Sequence, residues 1–295
     1  MDATLKPGRY VVAVSGGVDS MVLLDILRRI PDIQLIVAHY DHGIRYDSSQ
    51  DRRLVQSIAK QYGLTFLYDE GNLGPDASEA VARKARYEFL HKVRNASRAN
   101  GIITAHHQDD LLETAILNLL RGTGRRGLSS LKSTDIMKRP LLHVPKHRLI
   151  NYAQGNNLIW HEDSTNSDTR YTRNYIRHVL LPKFSPNDRE KLLQHINRMH
   201  ELNAEIDHHL TNHLHVQPAV HMHERRSFIA LPHKVAAEVL AAWLRKHGVR
   251  DFDRKTIERL IVAAKTFKPG QAADVDKRYL LRIGKDDLAL IRKDR

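Results

Sequence analysis

Ser15-Gly16-Gly17-Val18-Asp19-Ser20 sets two glycines, two hydroxyls and a carboxylate side by side. Glycine lets a backbone approach an anion closely. Amides at such a turn, and at the helix start behind it, point their positive ends outward, which suits a phosphate. Glycine and serine also cap ordinary strand-to-helix turns. The segment is not a Walker loop, which needs a lysine after its second glycine, nor the dinucleotide pattern G-x-G-x-x-G. A second cluster, His39-Tyr40-Asp41-His42-Gly43-Ile44-Arg45, mixes neutral donors, a carboxylate and a guanidinium. It could touch phosphates or a metal, or form a self-satisfied loop network.

A third cluster is His106-His107-Gln108-Asp109-Asp110-Leu111-Leu112-Glu113. Asp110 and Glu113 are three apart and Asp109 and Glu113 four apart, so on a helix they share a face. Acidic residues in a first turn also favour the helix dipole, which accounts for Asp109 and Asp110 better than for Glu113. Carboxylates grouped beside a phosphate-binding turn suit Mg2+ or an ammonium group. Glu79, Arg83, Arg86 and Tyr87 lie at helical spacings. Glu79 and Arg83 read either as an exposed i,i+4 ion pair or, with Arg86 on the same stripe, as a face turned to a sheet edge. His208, His209, His213, His215, His221 and His223 crowd one stretch without a companion carboxylate motif, and read as a wet, weakly basic surface.

The elements that must position these residues follow from periodicity. β-branched runs at 10–14, 34–39, 65–68 and 101–105 predict four strands. Apolar residues at helical spacing predict helices from 18 toward Pro31, over 51–62, over 76–98 and over 109–120. Strand and helix alternate with short links, which predicts a doubly wound parallel α/β sheet. Ligands in such sheets bind outside the carboxyl ends of the strands, where the first, second and third clusters fall. Gly122–Lys138 is polar and reads as a mobile loop or weak helix, and 146–156 as a helix. Further helices are predicted over 188–214, 232–245 and 255–264, with a hairpin over 279–292. A boundary near 184–187, at Pro182 and Pro186, divides a domain 1–185 from a smaller, mostly helical domain 186–295.

Composition narrows the classes. The chain has 295 residues, 41% of them hydrophobic, enough for a real core, and no cysteine. Disulfides, thiolate catalysis and iron–sulfur ligation are thereby excluded for it. No apolar run reaches transmembrane length, and Met1–Tyr10 is polar without a signal-peptide core, so a cytoplasmic protein with no membrane partner is expected. The formal charge is +13, split as +7 over 1–185 and +6 over 186–295. A basic excess built into both halves points to a polyanion such as nucleic acid.

The glycine segment matches the Ser-Gly-Gly-x-Asp-Ser pyrophosphate loop of N-type ATP pyrophosphatases, the PP-loop superfamily. Within it the chain resembles the tRNA(Ile)-lysidine synthases. That resemblance runs colinearly over about 10–182, through 39–45, 82–87, 104–114, 120–124, 139–141, Glu162-Asp163-Ser164-Thr165-Asn166 and Arg173-Asn174-Tyr175-Ile176-Arg177. It implies an adenine-nucleotide α-hydrolase-like fold and ATP-dependent ligation of L-lysine to C2 of the wobble cytidine of a CAU-anticodon tRNA(Ile). Ser15, Gly16, Gly17, Val18, Asp19 and Ser20, with His39 and Asp41, would hold ATP, and Asp19 would meet Mg2+. Asp110 and Glu113 would grip the lysine, with Arg86, His106 and Asp109 around the reacting centre. Arg173, Asn174 and Arg177 resemble tRNA- or loop-organising residues. Homodimers are common in that family, and this chain resembles its short form. Thiolating and glutamine-dependent relatives need cysteine, so the remaining alternatives are an ammonia-dependent adenylating synthetase and a tRNA-binding module without catalysis.

Overall fold

The computed structural model describes residues 5–43, 48–71, 74, 79–161, 172–213, 221–223, 225–249 and 252–293. Ile44, Arg45, the 162–166 motif, His215 and the expected helix start at 76–78 lie outside these residues.

The chain forms two compact units, Met1–Met199 and His200–Arg295. The first holds five parallel strands: β1 (Gly8–Ala13), β2 (Ile33–Asp41), β3 (Thr65–Glu70), β4 (Gly101–Ile103) and β5 (Met137–Lys138), in the order β3-β2-β1-β4-β5. Alternate residues of these strands serve opposite faces. Val12, Val14, Leu35 and Val37 face α1 (Val18–Leu27), α2 (Ser48–Gln61) and α6 (Lys146–Gly155) through Leu23, Leu24, Leu27, Val55, Ala59, Leu149 and Ala153. Val11, Ile36, Ala38 and Ile102 face α3 (Glu79–Ala96) through Phe89, Leu90 and Val93. Burial on both faces is the physical reason the central strands β1, β2 and β4 carry continuous apolar runs, whereas β3, at the edge, is mostly exposed.

One buried carboxylate ties the first face together. Asp25 of α1 accepts from Arg28, Arg29 and Tyr152 at 2.8 Å each and from Tyr62 at 3.2 Å. Those partners come from α1, the end of α2 and α6. Burial favours the neutral acid, but the Tyr152 and Arg28 hydrogen bonds and the arginine charges overcome it and hold Asp25 below its ordinary range.

Gly122–Lys138, read as a loop or weak helix, contains the short α5 (Arg125–Leu128) and the fifth strand. A two-residue strand leaves no periodicity to read; β5 exists because Met137 and Lys138 pair with Ile102 and Ile103. α4 (Gln108–Leu120) follows β4, and α7 (Thr172–Tyr175) continues through a wider turn at Ile176–Leu180 toward α8 (Pro186–His213).

The units divide inside α8, beyond the expected boundary near 184–187. Leu192, Leu193 and Ile196 of its first half pack with Leu111, Leu112 and Ile116 of α4. Pro186 opens the helix, where proline's fixed φ and missing N–H cost nothing, and so marks a helix start and not a linker.

The second unit is mostly helical, with α9 (Arg225–Ala230), α10 (His233–Lys246) and α11 (Arg254–Thr266). The expected hairpin is β8 (Tyr279–Ile283) with β9 (Asp287–Arg292), extended by β6 (His221–His223) and β7 (Ala272–Asp274) to the antiparallel order β6-β9-β8-β7. Trp243, Leu240, Ile261, Leu281 and Leu288 centre its core. Arg225 is buried and donates to the carbonyls of Ala264, Phe267 and Gly284, satisfying groups at the end of α11. No helix among the described residues is long and apolar enough to cross a membrane.

Candidate active site

From β1 the chain winds outward to β2 and β3, then returns to the other side for β4 and β5. The carboxyl ends of β1 and β4 therefore diverge at the switch point of the sheet, where doubly wound folds open a crevice. The glycine loop leaves β1 there, and the His106–Glu113 cluster leaves β4 beside it.

Gly16 has φ +98°, a conformation that disfavours side chains, and a Cβ on it would stand 3.3 Å from that of Asp51. Gly17 is different: a Cβ there meets only Ser15 Oγ at 3.7 Å and the His161 carbonyl at 3.9 Å. Ser20 organises the loop from inside. Its hydroxyl donates to the Gly17 carbonyl at 2.8 Å and accepts from the Ser15 and Gly16 amides at 3.2 Å each. Its proton is thus spent within the loop, while Ser15 Oγ lies 3.3 Å from Ser20 Oγ. Val18 opens α1 and packs against the first-face core.

His39 is buried, and its Nδ1 donates to the Val14 carbonyl at 2.9 Å, which fastens the loop's base to β2. Burial outweighs that bond and the nearby acids, keeping the ring neutral. Asp41 folds back on its own turn, accepting from the Gly43 amide at 2.9 Å. In this structure His39 supports the glycine loop through the Val14 carbonyl, and Asp41 supports its own turn after β2.

A chain of alternating charge crosses the crevice. Lys146 Nζ, at the first position of α6, donates to both oxygens of Asp19 at 2.6 and 2.7 Å. His107 Nε2 lies 3.5 Å from Asp19 and 3.5 Å from Asp110. Arg177 bridges Asp110 at 3.3 Å and Glu113 at 2.6 and 2.9 Å. Arg173 pairs with Glu79 and approaches Glu113 at 3.9 Å. The i,i+4 pair read for Glu79 and Arg83 is therefore not formed; Glu79 turns to Arg173, and Arg83 to Tyr87 at 3.4 Å.

α4 owes its placement to this chain. His107 Nδ1 accepts from the Asp109 amide at 3.2 Å and Asp110 accepts from the His107 amide at 2.9 Å, a reciprocal cap. Burial favours a neutral His107, but the Asp19 hydrogen bond and the Asp110 and Asp19 charges overcome it and raise its pKa. For Asp19, burial opposes ionisation, yet His107 and Lys146 hold its pKa below the ordinary value. Glu113 is fully buried, and burial pushes its pKa up against the pull of Arg177. Asp109 lies 3.9 Å from Arg189 of α8.

His106 Nδ1 is 2.8 Å from Thr104 Oγ1. Burial, with Arg139, Arg86 and Arg83 nearby, depresses its pKa to about 3 despite Asp110. Arg86 lies 5.5 Å from the Tyr87 ring centroid and is itself depressed, by burial first and by Arg83.

The structure thus brings Asp19, His107, Asp110 and Glu113 into one chain of contacts. Lys146 is the member that sequence reasoning missed. Its signal was available: a cation in the first turn of a helix opposes the dipole and needs a local acid. His208 and His209 stack edge to face at 6.0 Å, and no group of three or more metal-ligating side chains occurs among the described residues.

The glycine loop, with its amides around a helix start, fits a phosphate. Asp19 fits one corner of a Mg2+ site, since that ion takes one or two carboxylates and completes its shell with phosphate oxygens and water. The Asp110–Glu113 pair, bound in place by a resident guanidinium, fits a cation.

The chain is 40% identical to tRNA(Ile)-lysidine synthase of Thermotoga maritima over 189 residues, 60% of this chain and 46% of that protein. It is 40% identical to tRNA(Ile)-lysidine synthase of Methylococcus capsulatus over 195 residues, 62% of this chain and 44% of that protein. The chain thus spans less than half the length of these curated relatives. Among solved structures, the U34-tRNA thiolase NcsA from Methanococcus maripaludis, with its [4Fe-4S] cluster, shares the fold at TM-score 0.55 and 17% identity, covering 68% of this chain and 75% of that one. This chain has no cysteine with which to hold such a cluster. The PP-loop domain profile matches residues 2–184, from β1 through α7 and the wide turn after it, and on that match the chain belongs to the PP-loop domain family.

Proposed function

We propose that this chain ligates L-lysine to C2 of the wobble cytidine of a CAU-anticodon tRNA(Ile), at the expense of ATP, releasing AMP and pyrophosphate. The observation that carries the reading is the contact chain Lys146–Asp19–His107–Asp110–Arg177–Glu113, which joins a phosphate loop to a paired-carboxylate cation site. The names of relatives that match over 60% and 62% of this chain support it.

The reaction divides into two displacements. Cytidine O2 attacks the α-phosphorus of ATP, forming an O–P bond as the α–β bridge breaks and pyrophosphate leaves. The neutral ε-amine of lysine then attacks C2; the C2–O2 bond breaks, AMP leaves with the oxygen, and the amine loses a proton. The helix start just after Gly17 offers amides to the departing phosphates. Mg2+, held by Asp19, would supply charge neutralisation on pyrophosphate. Asp110 and Glu113 hold the lysine ammonium once Arg177 yields them. Glu113, with its raised pKa, is suited to take one proton from that ammonium, which frees the amine to attack. The second proton, lost as the C2–N bond forms, goes to the departing AMP or to water. Arg86 and His106 flank the reacting base. His39 keeps the ATP loop in register through Val14, and Asp41 shapes the turn after β2 beside it. The second unit is assigned to holding tRNA, on the +5 charge over 200–295.

The test is pyrophosphate release from ATP and Mg2+ with in vitro transcribed CAU-anticodon tRNA(Ile), with and without lysine. Release that needs both, with labelled lysine entering the tRNA and loss in Asp110→Ala, supports the reading. Release without lysine incorporation moves the nucleophile elsewhere, and no release from a folded protein that binds tRNA favours a binding module.

A further inference from the structure

Most arginines of the first unit that reach the site or its supports find an acid. Arg28 and Arg29 meet Asp25, Arg52 meets Glu70, Arg173 meets Glu79, Arg177 meets Glu113 and Arg189 meets Asp109. Three neighbours of His106 do not. Among the described residues no carboxylate lies within ion-pair distance of Arg83, Arg86 or Arg139. Instead Arg83 and Arg86 lie 4.9 and 5.5 Å from the Tyr87 ring centroid. Arg139 follows β5, where its backbone amide donates to Ser133 Oγ at 3.0 Å and its side chain donates to the Lys132 carbonyl. Its Nε is buried with no hydrogen-bond partner.

Each of these features costs free energy in the protein alone. Like charges gathered at one place repel, and a buried donor without an acceptor keeps its full desolvation penalty. Burial disfavours the charge on both Arg86 and Arg139, and Arg83 adds repulsion to each. His106, at the carboxyl end of β4, is close enough to all three to lose its own proton to them and to burial. The three guanidiniums share one phenol, Tyr87, and Arg86 also feels the charge of Glu79, but among the described residues none has a carboxylate within ion-pair distance. Guanidinium forks match the paired oxygens of a phosphate.

We propose that Arg83, Arg86 and Arg139 form a second anion site beside the glycine loop, which binds a phosphate group of the substrates. Arg86 has a role implied by resemblance; Arg83, Arg139 and the ligand class are new. The proposal rests on the reaction above for its two sources of phosphate, the RNA backbone next to the reacting base and ATP. Arg83 and Arg86 belong to α3, and Arg139 follows β5; Phe89, Leu90, Val93 and Met137 of these elements pack on one face of the sheet, while α1 and α6, next to the glycine loop, pack on the other.

The experiment measures binding of a CAU anticodon stem-loop RNA and of ATP to full-length protein carrying Arg83→Gln, Arg139→Gln or Arg139→Lys. For an RNA phosphodiester, each Gln variant weakens RNA binding about tenfold and flattens the slope of log K against log salt by roughly 0.7. Arg139→Lys restores the slope and only part of the affinity, because an ammonium is not a fork. For ATP as the source, ATP binding falls about tenfold and RNA binding stays. Wild-type affinity for both ligands in folded Gln variants overturns the proposal. Melting in phosphate-free buffer separates a structural role: removing one of three repelling cations leaves Tm unchanged or higher, whereas a packing role lowers it. Arg83→Gln, at a half-buried helix position, carries the test alone should Arg139→Gln not fold. RNA or ATP binding lost in these variants without any lysine-dependent pyrophosphate release by wild type sinks the reaction and leaves the anion site standing.

Discussion

Both carboxylate oxygens of Asp19 accept from one ammonium, Lys146 Nζ, at 2.6 and 2.7 Å. Asp19 stands in the first turn of α1 and Lys146 in the first turn of α6, so the pair sets a loose cation between two helix N-termini. That is an unfavourable place for a lysine unless an anion shares it. The lysine is a resident counter-ion, free to turn to a phosphate when one arrives. Lys146→Met is expected to weaken ATP binding about tenfold, the worth of one charged hydrogen bond. The pair is part-exposed, so its loss should cost under about 1 kcal/mol of stability. Calorimetric titration with ATP checks this; unchanged affinity would remove Lys146 from the site.

The two loop glycines separate fold from binding. Gly17→Ala leaves only ordinary contacts, 3.7 and 3.9 Å from the nearest atoms, so the melting temperature should hold while ATP affinity falls roughly tenfold. Gly16→Ala adds strain at φ +98° and a tight approach to Asp51, and should lower stability by about 1 kcal/mol or more. Equal melting losses in both variants would contradict the distinction.

Arg177 is the counter-ion of a fully buried carboxylate. Arg177→Gln strands Glu113 and should cost on the order of 3–5 kcal/mol. Glu113→Gln in the same chain should recover much of that, because the stranded charge is gone. Urea titrations of the two single variants and the double variant close the cycle; additive losses would mean the pair is not coupled.

The sheet was legible because strands buried on both faces are unbroken apolar runs, as in Val11–Val14 and Leu35–Ala38. The glycine loop and the Asp110–Glu113 spacing were legible for the same local reason: their partners lie within one turn. What escaped joins residues far apart in the chain. Lys146 lies 127 residues from Asp19, and Arg177 lies 64 from Glu113. Only the closure of α6 and α7 over the switch point brings them in. β5 escaped because two residues make no pattern, and the unit boundary because Pro186 looks alike as a linker and as a helix start. The resemblance puts Ser20 among the residues that would hold ATP, and its hydroxyl proton is directed to the Gly17 carbonyl inside the loop.

Acid should weaken the fold in a defined window. His106 has its pKa depressed from 6.5 to about 3, and His39 is depressed in the same direction. Each is neutral when folded and takes a proton when unfolded, so the stability each contributes is complete above 6.5. It is lost as pH falls from there toward the folded value. At pH 5 the loss from His106 alone is about 2 kcal/mol, one and a half units at roughly 1.4 kcal/mol each. His107 does not offset this. Its pKa is raised, so its contribution is already complete below 6.5 and fades only as pH rises through its folded value. Asp19 and Asp25, held below 3.8, begin to lose their contributions only below about that pH. Urea midpoints at pH 7 and pH 5, in a buffer free of phosphate and sulfate, should therefore differ in the wild type by more than in His106→Gln. The neutral amide keeps a polar group against Thr104 and takes no proton. An equal pH difference in both proteins would show that burial and the neighbouring arginines do not hold this ring unprotonated.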